Sequence, residues 1–495
     1  MAETKMLAVF TSSGLAHRGA WDAVDIAQKV MSNAEMLNEV AHVCGDGVTF
    51  EHVDLVDEER LNVISRSHYG LTPEELDNRA NVFRLARERA SAVVEKIRRS
   101  PGDVDGILIF GAPWRELIDT GLPIVAVFPM WGTWMAEFDF LGYRGKKVVT
   151  SCLPVVRDLS EAVFRARIND IATKIRMIQT ISNMEALRIL DITDRPVLGS
   201  YERGWGDLKA YEATFLENVR QVFGSDIVTI PQSELFDEIW SVSETEAQRV
   251  AGMWLAGATG IDGTVSAEVV KSARVYLAMR LLMDKYDCGA TTTEGYGVFA
   301  DYERGAIPSQ GLAASQLYTD GITATSECLL NSLLTQHLGL HILGRPGFNG
   351  DYIIDPFNHI AVVGHCEGAF NPFGDERRSP YVIRNLPRWR QNEGGACVQI
   401  NYPVGETVTL AKLSMVERKL ALSTGKTVSG HDFFADWDDL ACRTKIAIET
   451  DTGALLSNLD WKTFGTHRVV FFGDFRQALK DLARLIGFEV VEEDR

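Results

Sequence analysis

The sequence is short of positive charge, with 50 lysines and arginines against 68 aspartates and glutamates and a net charge of −18. Nucleic acids and anionic membrane surfaces are bound by clustered basic residues, so both kinds of partner are disfavoured. The sequence also lacks any run of the roughly 18 apolar residues that a membrane-spanning helix requires. The N-terminus, MAETKMLAVF, has no basic segment followed by a long apolar run, so we expect no signal peptide.

Cysteine is scarce, and its pattern does not indicate cross-linking. The chain has seven cysteines, an odd number, and no two of them are spaced as Cys-x-x-Cys. This pattern argues against a disulfide framework and against a thiolate zinc site. It fits a reducing compartment, so the sequence predicts a cytoplasmic protein.

Residues 1–170 alternate short apolar runs with amphipathic stretches. The runs Leu7–Phe10, Ile107–Phe110 and Ile124–Phe128 have the length of buried strands. Between them, Thr72-Pro73-Glu74-Glu75 supplies an N-cap, a proline at the first helical position and a capping-box glutamate. Alternating strands and helices predict a Rossmann-like α/β domain with a parallel sheet.

A second α/β domain is predicted over residues 171–350. Its strand and helix signals begin near Pro196, with strand candidates at Val197–Leu198, Ile227–Ile230 and Cys288–Thr293. Long helical patterns cover about Ser233–Leu255 and Ser266–Lys285, as apolar spacing of this period indicates.

The pattern changes in residues 351–495, where a third domain is predicted. Short segments rich in β-branched residues are separated by turns, which indicates an antiparallel sheet or barrel. A final helix is expected at Arg476–Ile486, and the acidic tail, residues 491–495, is expected to be solvated. The predicted fold is therefore two parallel-sheet α/β domains followed by a C-terminal antiparallel β-barrel domain.

Four polar residues stand at the ends of predicted elements, where a site can be assembled. Glu327, in the second domain, precedes a helical run, and Asp351 opens a strand after a glycine-rich loop. In the third domain, His365 ends an apolar strand and His467 begins another. Two carboxylates and two imidazoles suit Mn²⁺, Mg²⁺, Co²⁺ or Zn²⁺, and the carboxylates favour a hard ion such as Mn²⁺.

Each of these four residues also has an ordinary structural explanation. A glutamate at a helix start interacts favourably with the helix dipole, and an aspartate beside a glycine is common in turns. A histidine at the end of a strand often does no more than form hydrogen bonds. The spacing alone therefore leaves both the metal-site and the structural interpretations open.

Several segments resemble the L-fucose isomerase and L-arabinose isomerase superfamily, especially its fucose-isomerase-like branch. Gly321–Glu327 is similar to the segment that carries a metal-binding glutamate in that family, and Asp351 follows Glu327 by the family's interval (351 − 327 = 24). Val362–Cys366 resembles a strand that ends in the family's histidine, and Gly465–Val470 resembles the segment of its C-terminal histidine. The chain departs from the family pattern at Ser326, Leu329 and Glu367.

The resemblance implies an aldose–ketose isomerase that acts on an open-chain sugar through an ene-diolate. Glu327, Asp351, His365 and His467 would hold one divalent ion, for which Mn²⁺ is best suited, while Glu327 and Asp351 exchange the roles of base and acid. Trp131 and Trp134 are candidate sugar-binding residues, with ordinary packing as the alternative. The resemblance also implies a homo-oligomer, a trimer or hexamer, in which a neighbouring subunit's first domain helps close the site.

Two other functional classes fit the same residues. A different metal-assisted sugar reaction, such as epimerisation or aldol cleavage, passes through a similar enediolate. A non-catalytic sugar-binding protein is the second alternative, because tandem α/β domains are typical of such binders. The barrel domain, the four candidate ligands and the expected absence of a signal peptide argue against the binding protein, whereas the other metal-assisted reactions remain open.

Overall fold

A computed structural model describes residues 3–11, 32–55, 73–111, 114–129, 145–153, 161–194, 208–294, 300–301, 305–375, 377–390, 393–430 and 441–495. The chain divides into two compact units. The first comprises Met1–Asn183 and Lys480–Phe488, and the second comprises Met184–Leu479 and Glu489–Arg495. Trp131 and Trp134 lie outside the described residues, as do Thr72 and the strand candidate Val197–Leu198.

The first unit contains a five-stranded parallel sheet in the order β2-β1-β3-β4-β5. Its core consists of aliphatic side chains such as Val9, Ile109 and Ala126, all of which are fully buried. Strands that are buried on both faces read as continuous apolar runs, which is why the sequence located them. The strands are β1 Thr4–Phe10, β2 Val48–Asp54, β3 Gly106–Phe110, β4 Ile124–Pro129 and β5 Val148–Leu153.

Four helices lie within the described part of Met1–Asn183. Helix α1 begins with a capping box, in which the Ser32 hydroxyl accepts from the Glu35 backbone N–H and the Glu35 carboxylate accepts from the Ser32 N–H. The predicted proline is the first residue of the long helix α2. The helices are α1 Asn33–Cys44, α2 Pro73–Arg99, α3 Arg115–Ile118 and α4 Glu161–Asn183.

The second unit contains a four-stranded parallel sheet in the order β12-β9-β6-β7. It begins earlier than the sequence indicated, because its first described strand lies before Pro196. Its strands are β6 Arg188–Ile192, β7 Asp226–Ile230, β9 Ala290–Thr293 and β12 Thr323–Ser326. Other short strands of this region are β8 Gly260–Asp262, β10 Ala300–Asp301 and β11 Gly305–Ala306.

The helix predicted over Ser233–Leu255 is two helices. Val242 and Ser243 have extended backbone, with ψ values of 134° and 130°, and they interrupt the helical hydrogen bonding. The Val242 side chain is buried in the core and its carbonyl accepts from the Arg274 guanidinium, so tertiary contacts stabilise the break. The helices of this region are α5 Leu208–Phe223, α6 Gln232–Ser241, α7 Glu244–Gly257, α8 Ser266–Tyr286, α9 Gly311–Thr319 and α10 Leu330–Leu343.

Six antiparallel strands of the same unit close into a β-barrel, in the order β17-β20-β13-β14-β19-β18, with β18 pairing back to β17. The predicted fold class is therefore confirmed. The bounds are β13 Phe348–Asp355, β14 Ile360–His365, β15 Tyr381–Arg384, β16 Cys397–Ile400, β17 Thr407–Ser414, β18 Lys419–Val428, β19 Thr444–Glu449 and β20 His467–Phe472. Strands β15 and β16 pair with β8 in a separate small sheet.

The last elements of the chain are α11 Thr452–Asn458, α12 Trp461–Phe464, α13 Arg476–Ile486 and β21 Glu489–Glu492. Helix α13 has the predicted bounds, and β21 pairs in parallel with β18. Helix α4 runs through position 170, and the second parallel sheet and the barrel belong to one compact unit. The division into three domains at residues 170 and 350 remains a prediction.

Among the described residues, no helix combines the length and the apolar character that crossing a bilayer requires. All seven cysteines are free thiols, in keeping with the pattern of their spacing.

The acidic tail is not solvated as expected. Glu493 is fully buried, and both of its carboxylate oxygens accept from the buried Arg468 guanidinium, at 2.6 and 3.0 Å. The Arg468 side chain also lies against the rings of Tyr352 and Trp461. The acidic composition of the tail does not reveal this pairing, because Arg468 belongs to β20 and is distant in sequence.

We expect Glu493→Ala to lower the free energy of unfolding by about 3–5 kcal/mol, because it leaves the Arg468 charge buried without its counter-ion. Glu489→Ala is the matched control on the same terminal strand. Its carboxylate is exposed and lies 3.8 Å from Lys419, so the loss should stay below about 1 kcal/mol. Urea unfolding of the two variants measures the difference, and equal losses would show that the buried pair adds no stability.

Candidate metal centre

Glu327 is positioned by a strained turn at the carboxyl end of β12. Both Glu327 and Cys328 have left-handed backbone, with φ values of 67° and 53°, which non-glycine residues rarely adopt. The Cys328 N–H donates to the Thr293 carbonyl of the neighbouring strand, and helix α10 begins only at Leu330. Glu327 is therefore not the first residue of a helix and lies two residues before the N-cap, Leu329. Strain of this kind is often found where a side chain must be held for a function.

A buried carboxyl group supports this turn from the side of the parallel sheet. Asp191 on β6 is fully buried close to the Cys328 thiol. Burial raises the pKa of Asp191 to about 7, and the nearby Glu294 carboxylate adds to this effect. The residue that follows Glu327 is thus held by the interior of the sheet.

The other three candidate residues lie on adjacent barrel strands. Asp351 on β13 is directly paired with His467, the first residue of β20, and on its other side with Gly364 of β14. His365 is the last residue of β14. The strand β13 begins three residues earlier than predicted, at Phe348, so Asp351 lies inside it. A side chain at Gly350 would approach the Gly364 carbonyl oxygen to 2.8 Å, so glycine permits the close pairing of β13 and β14 here.

The side chains of Glu327, His365 and His467 converge, and Asp351 lies beside His467. The Nε2 of His365 lies 3.5 Å from Glu327 Oε1, and the Nε2 of His467 lies 3.9 Å from Glu327 Oε2. Asp351 Oδ1 is 3.5 Å from the same His467 nitrogen. The two histidines are 1% exposed and Glu327 is 5% exposed, whereas the Asp351 side chain is 47% exposed. The centre is buried on three sides, and Asp351 forms its accessible side.

Each histidine is oriented by a contact to its other ring nitrogen. His365 Nδ1 lies 3.5 Å from the carboxylate of Glu367, which is buried and accepts a hydrogen bond from the Tyr318 hydroxyl. His467 Nδ1 lies 3.1 Å from the Thr466 hydroxyl. Both rings therefore direct Nε2 towards Glu327. Contacts of this kind fix the ring and increase the basicity of the histidines that bind metal ions.

The electrostatics of the two histidines differ. Burial would lower the pKa of His365, but the Glu367 and Glu327 carboxylates outweigh it and raise the pKa to about 10. The pKa of His467 is held well below its usual range by burial and by the positive charge of His365. Burial raises the pKa of Glu327 and of Asp351, although His365 opposes this in both. The centre thus retains a proton that a cation would displace.

The donor set meets the requirements of a metal site. One ligand atom each from Glu327, His365 and His467 lie within 4.8 Å of one another, and all three residues are buried. Glu327 Oε2 is buried and accepts no hydrogen bond from the described residues, so it is available to a cation. This buried Glu/His/His group could hold a metal ion. Asp351 lies beside it and could supply a fourth ligand.

Glu367 and Tyr318 are the residues that the sequence did not assign to the centre. In the sequence, Glu367 is distinguished only as a departure from the pattern of the resembled family. Its spacing of two residues from His365 was the available signal, but alternation along a strand places such a neighbour without showing what it contacts. Tyr318 belongs to α9, and its contact with Glu367 is set by the tertiary fold alone.

We expect Glu367→Gln to weaken metal binding by about 10- to 100-fold, because it removes the charge that orients His365 and increases its basicity. Calorimetric titration with Mn²⁺ measures the change. Tyr318→Phe keeps the ring and removes only the hydroxyl contact to Glu367, so its effect should be smaller. Unchanged affinity in the Glu367 variant would show that this carboxylate does not act on the centre.

In comparisons with known proteins, no protein-family model and no curated protein matches the chain. The assignment of a function therefore depends on the site itself.

Proposed function

We propose that the protein is a metal-dependent aldose–ketose isomerase that acts on an open-chain monosaccharide. The observation that supports this most directly is the convergence of Glu327, His365 and His467, with Asp351 beside them at the accessible side. The resemblance of the four segments around these residues to the L-fucose and L-arabinose isomerase superfamily agrees with it. Such a reaction transfers a proton between C1 and C2 of the sugar.

The two carboxylates have the properties that this transfer needs. Burial raises the pKa of both Glu327 and Asp351, which brings each group closer to the pH at which it can both accept and donate a proton. Asp351 is half-exposed and can contact a bound sugar, while Glu327 is buried and follows directly after β12. One carboxylate would remove the proton from one carbon, and the other would return a proton to its neighbour.

The four residues would hold one divalent cation, and Mn²⁺ suits the mixture of carboxylate and imidazole ligands. When bound, such an ion supplies Lewis acidity that stabilises the charge of the developing ene-diolate. Glu327 and Asp351 would contribute negative charge, while His365 and His467 would bind through Nε2 as neutral rings. His365 must lose its proton to do so.

The proposal includes a cytoplasmic location and a homo-oligomer, either a trimer or a hexamer, as the resemblance implies. It assigns sugar contacts to Trp131 and Trp134 on the same ground. The acidic balance of the chain supports a small-molecule substrate and neither a nucleic-acid nor a membrane partner.

A substrate screen tests the function. Pentoses, hexoses and their deoxy and acidic derivatives are incubated with the protein and Mn²⁺, and the products are identified by NMR. We expect one sugar to give a ketose with the same number of carbons, and EDTA to stop the reaction. Smaller products would indicate aldol cleavage, an inverted stereocentre would indicate epimerisation, and sugar binding that persists in EDTA without turnover would indicate a binding protein. Each of these results would contradict the isomerase assignment.

A further inference from the structure

A cavity of about 640 Å³ lies beside strand β19 in the second unit. It is bordered by β15, β16, the end of β18 and β19 itself. Its lining includes three cationic residues, Arg384, Arg443 and Lys445, and none of the described lining residues is acidic. The cationic lining contrasts with the excess of acidic residues in the chain as a whole, whose net charge is −18. Its charge is complementary to an anion.

Strand pairing connects this cavity with the proposed metal centre. His467 pairs with Asp351, Asp351 with Gly364, and Gly364 with Lys445, so four neighbouring strands place these residues in one row. Directly paired residues share a face of the sheet. Asp351 and Lys445 are two strand spacings apart, or about 10 Å, since neighbouring strands lie about 4.8 Å apart.

The residue between them has no side chain. A Cβ at Gly364 would lie 3.7 Å from Lys445 Cγ, which shows that the lysine stem lies next to the glycine. A larger residue at this position would stand between Lys445 and Asp351. Within this row no side chain therefore stands between Lys445 and Asp351, which are separated by about the length of a short sugar chain.

Two of the three cationic side chains are held in place by contacts that the structure shows. The Arg443 guanidinium donates to the carbonyl of Asn385, to the Asn385 side chain and to the carbonyl of Leu386. The Arg384 guanidinium forms an ion pair with Asp262, at 2.9 Å, and donates a hydrogen bond to the Gln399 side chain. Lys445 is partly exposed and extends from β19 into the cavity lining. Gln399 and Asn401 add neutral hydrogen-bonding groups.

We propose that this cavity binds the anionic group of an acyclic sugar derivative whose carbonyl end lies at the metal centre. The group is a phosphate or a carboxylate, and Lys445 is its main specificity-determining residue. The inference rests on the proposed function for the identity of the sugar end. The anion site itself is defined by the cavity and can be tested without turnover.

The first test is calorimetric titration of the metal-free protein with inorganic phosphate. We expect saturable binding that Lys445→Gln weakens about tenfold or more, as expected for the loss of one charged hydrogen-bond donor. Lys419→Gln is the matched control, because Lys419 is a partly exposed strand lysine outside the cavity lining. No binding of phosphate by the wild type, or equal binding by all three proteins, would overturn the anion site.

The second test compares a neutral hexose, its 6-phosphate and its hexuronate of the same stereochemistry as substrates of the Mn²⁺-loaded protein. We expect KM for one anionic sugar to be at least about tenfold below that for the neutral sugar, and Lys445→Gln to remove the difference with kcat little changed. Comparing the 6-phosphate with the hexuronate identifies which anionic group the cavity prefers.

Preference for the neutral sugar would overturn the inference but leave the isomerase assignment intact. Phosphate binding that depends on Lys445, without isomerisation of any sugar, would support the anion site and contradict the proposed function.

Discussion

Replacing Glu327 by glutamine is expected to reduce kcat by at least about 1000-fold, because the change removes a metal ligand and a proton-transfer group together. The side chain keeps its size, and it remains in the left-handed turn after β12. The fold should therefore survive, and circular dichroism and the unfolding midpoint should match those of the wild type. Steady-state kinetics with the sugar identified by the substrate screen measures the effect.

The chain offers a closely matched control for this variant. Glu294 follows β9 as Glu327 follows β12, on the neighbouring parallel strand, and it is 8% exposed against 5% for Glu327. It accepts from Thr193 and Gln232 and is not part of the Glu/His/His group. We expect Glu294→Gln to retain metal binding and most of the turnover. Normal turnover in Glu327→Gln would end the assignment of this residue.

Metal affinity is expected to rise about tenfold for each pH unit between pH 6 and 8, or about 100-fold in all. The direction follows from His365, whose pKa of about 10 means that the metal-free centre keeps a proton on this ring throughout that range. A cation can bind His365 Nε2 only after the proton has left, so each increase in pH lowers the cost of binding. The raised pKa values of Glu327 and Asp351 act in the same direction, because a protonated carboxyl group must also lose its proton before it can bind the cation.

Titration with Mn²⁺ in buffers of different ionisation enthalpy counts the protons released, and we expect about one. Glu367→Gln provides an internal comparison, because the Glu367 carboxylate is the largest of the effects that raise the pKa of His365. Its loss should make the pH dependence less steep while lowering the affinity at pH 8. An affinity that does not change between pH 6 and 8 would show that His365 is not a ligand.

Much of the fold could be predicted because local patterns determine it. The strands β1, β3 and β4 are continuous apolar runs, and helix α13 is an amphipathic segment that ends before Gly487, so both could be located from the sequence alone. The barrel strands are short, rich in β-branched residues and separated by turns, so the sequence could also indicate an antiparallel sheet or barrel. The four candidate residues stood out because they lie at the ends of such elements.

The remainder depends on contacts between residues that are distant in sequence. The break at Val242–Ser243 is stabilised by Arg274 from α8, and Glu493 is buried because Arg468 lies beside it. Glu367 contacts His365 and Tyr318 in a network that joins β14 to α9. Propensity and periodicity describe one segment at a time, so they do not report such pairs.

The left-handed turn at Glu327 is a further case of a tertiary effect. Helical periodicity after Ser326 favours a helix that begins near Glu327, yet the Cys328 N–H donates to β9 and the helix starts later. Two non-glycine residues with positive φ raise the conformational energy of the backbone, and the packing of Cys328 against the sheet offsets this. This departure from local preference is what directs the Glu327 carboxylate towards the two histidines.

The central claim, that Glu327, Asp351, His365 and His467 hold one divalent cation, is tested most directly by anomalous diffraction at the manganese edge from crystals grown with Mn²⁺. The account predicts a single strong peak bounded by one carboxylate oxygen of Glu327, one of Asp351 and the Nε2 atoms of His365 and His467. No peak between these four side chains, or a peak held by other residues, would contradict it.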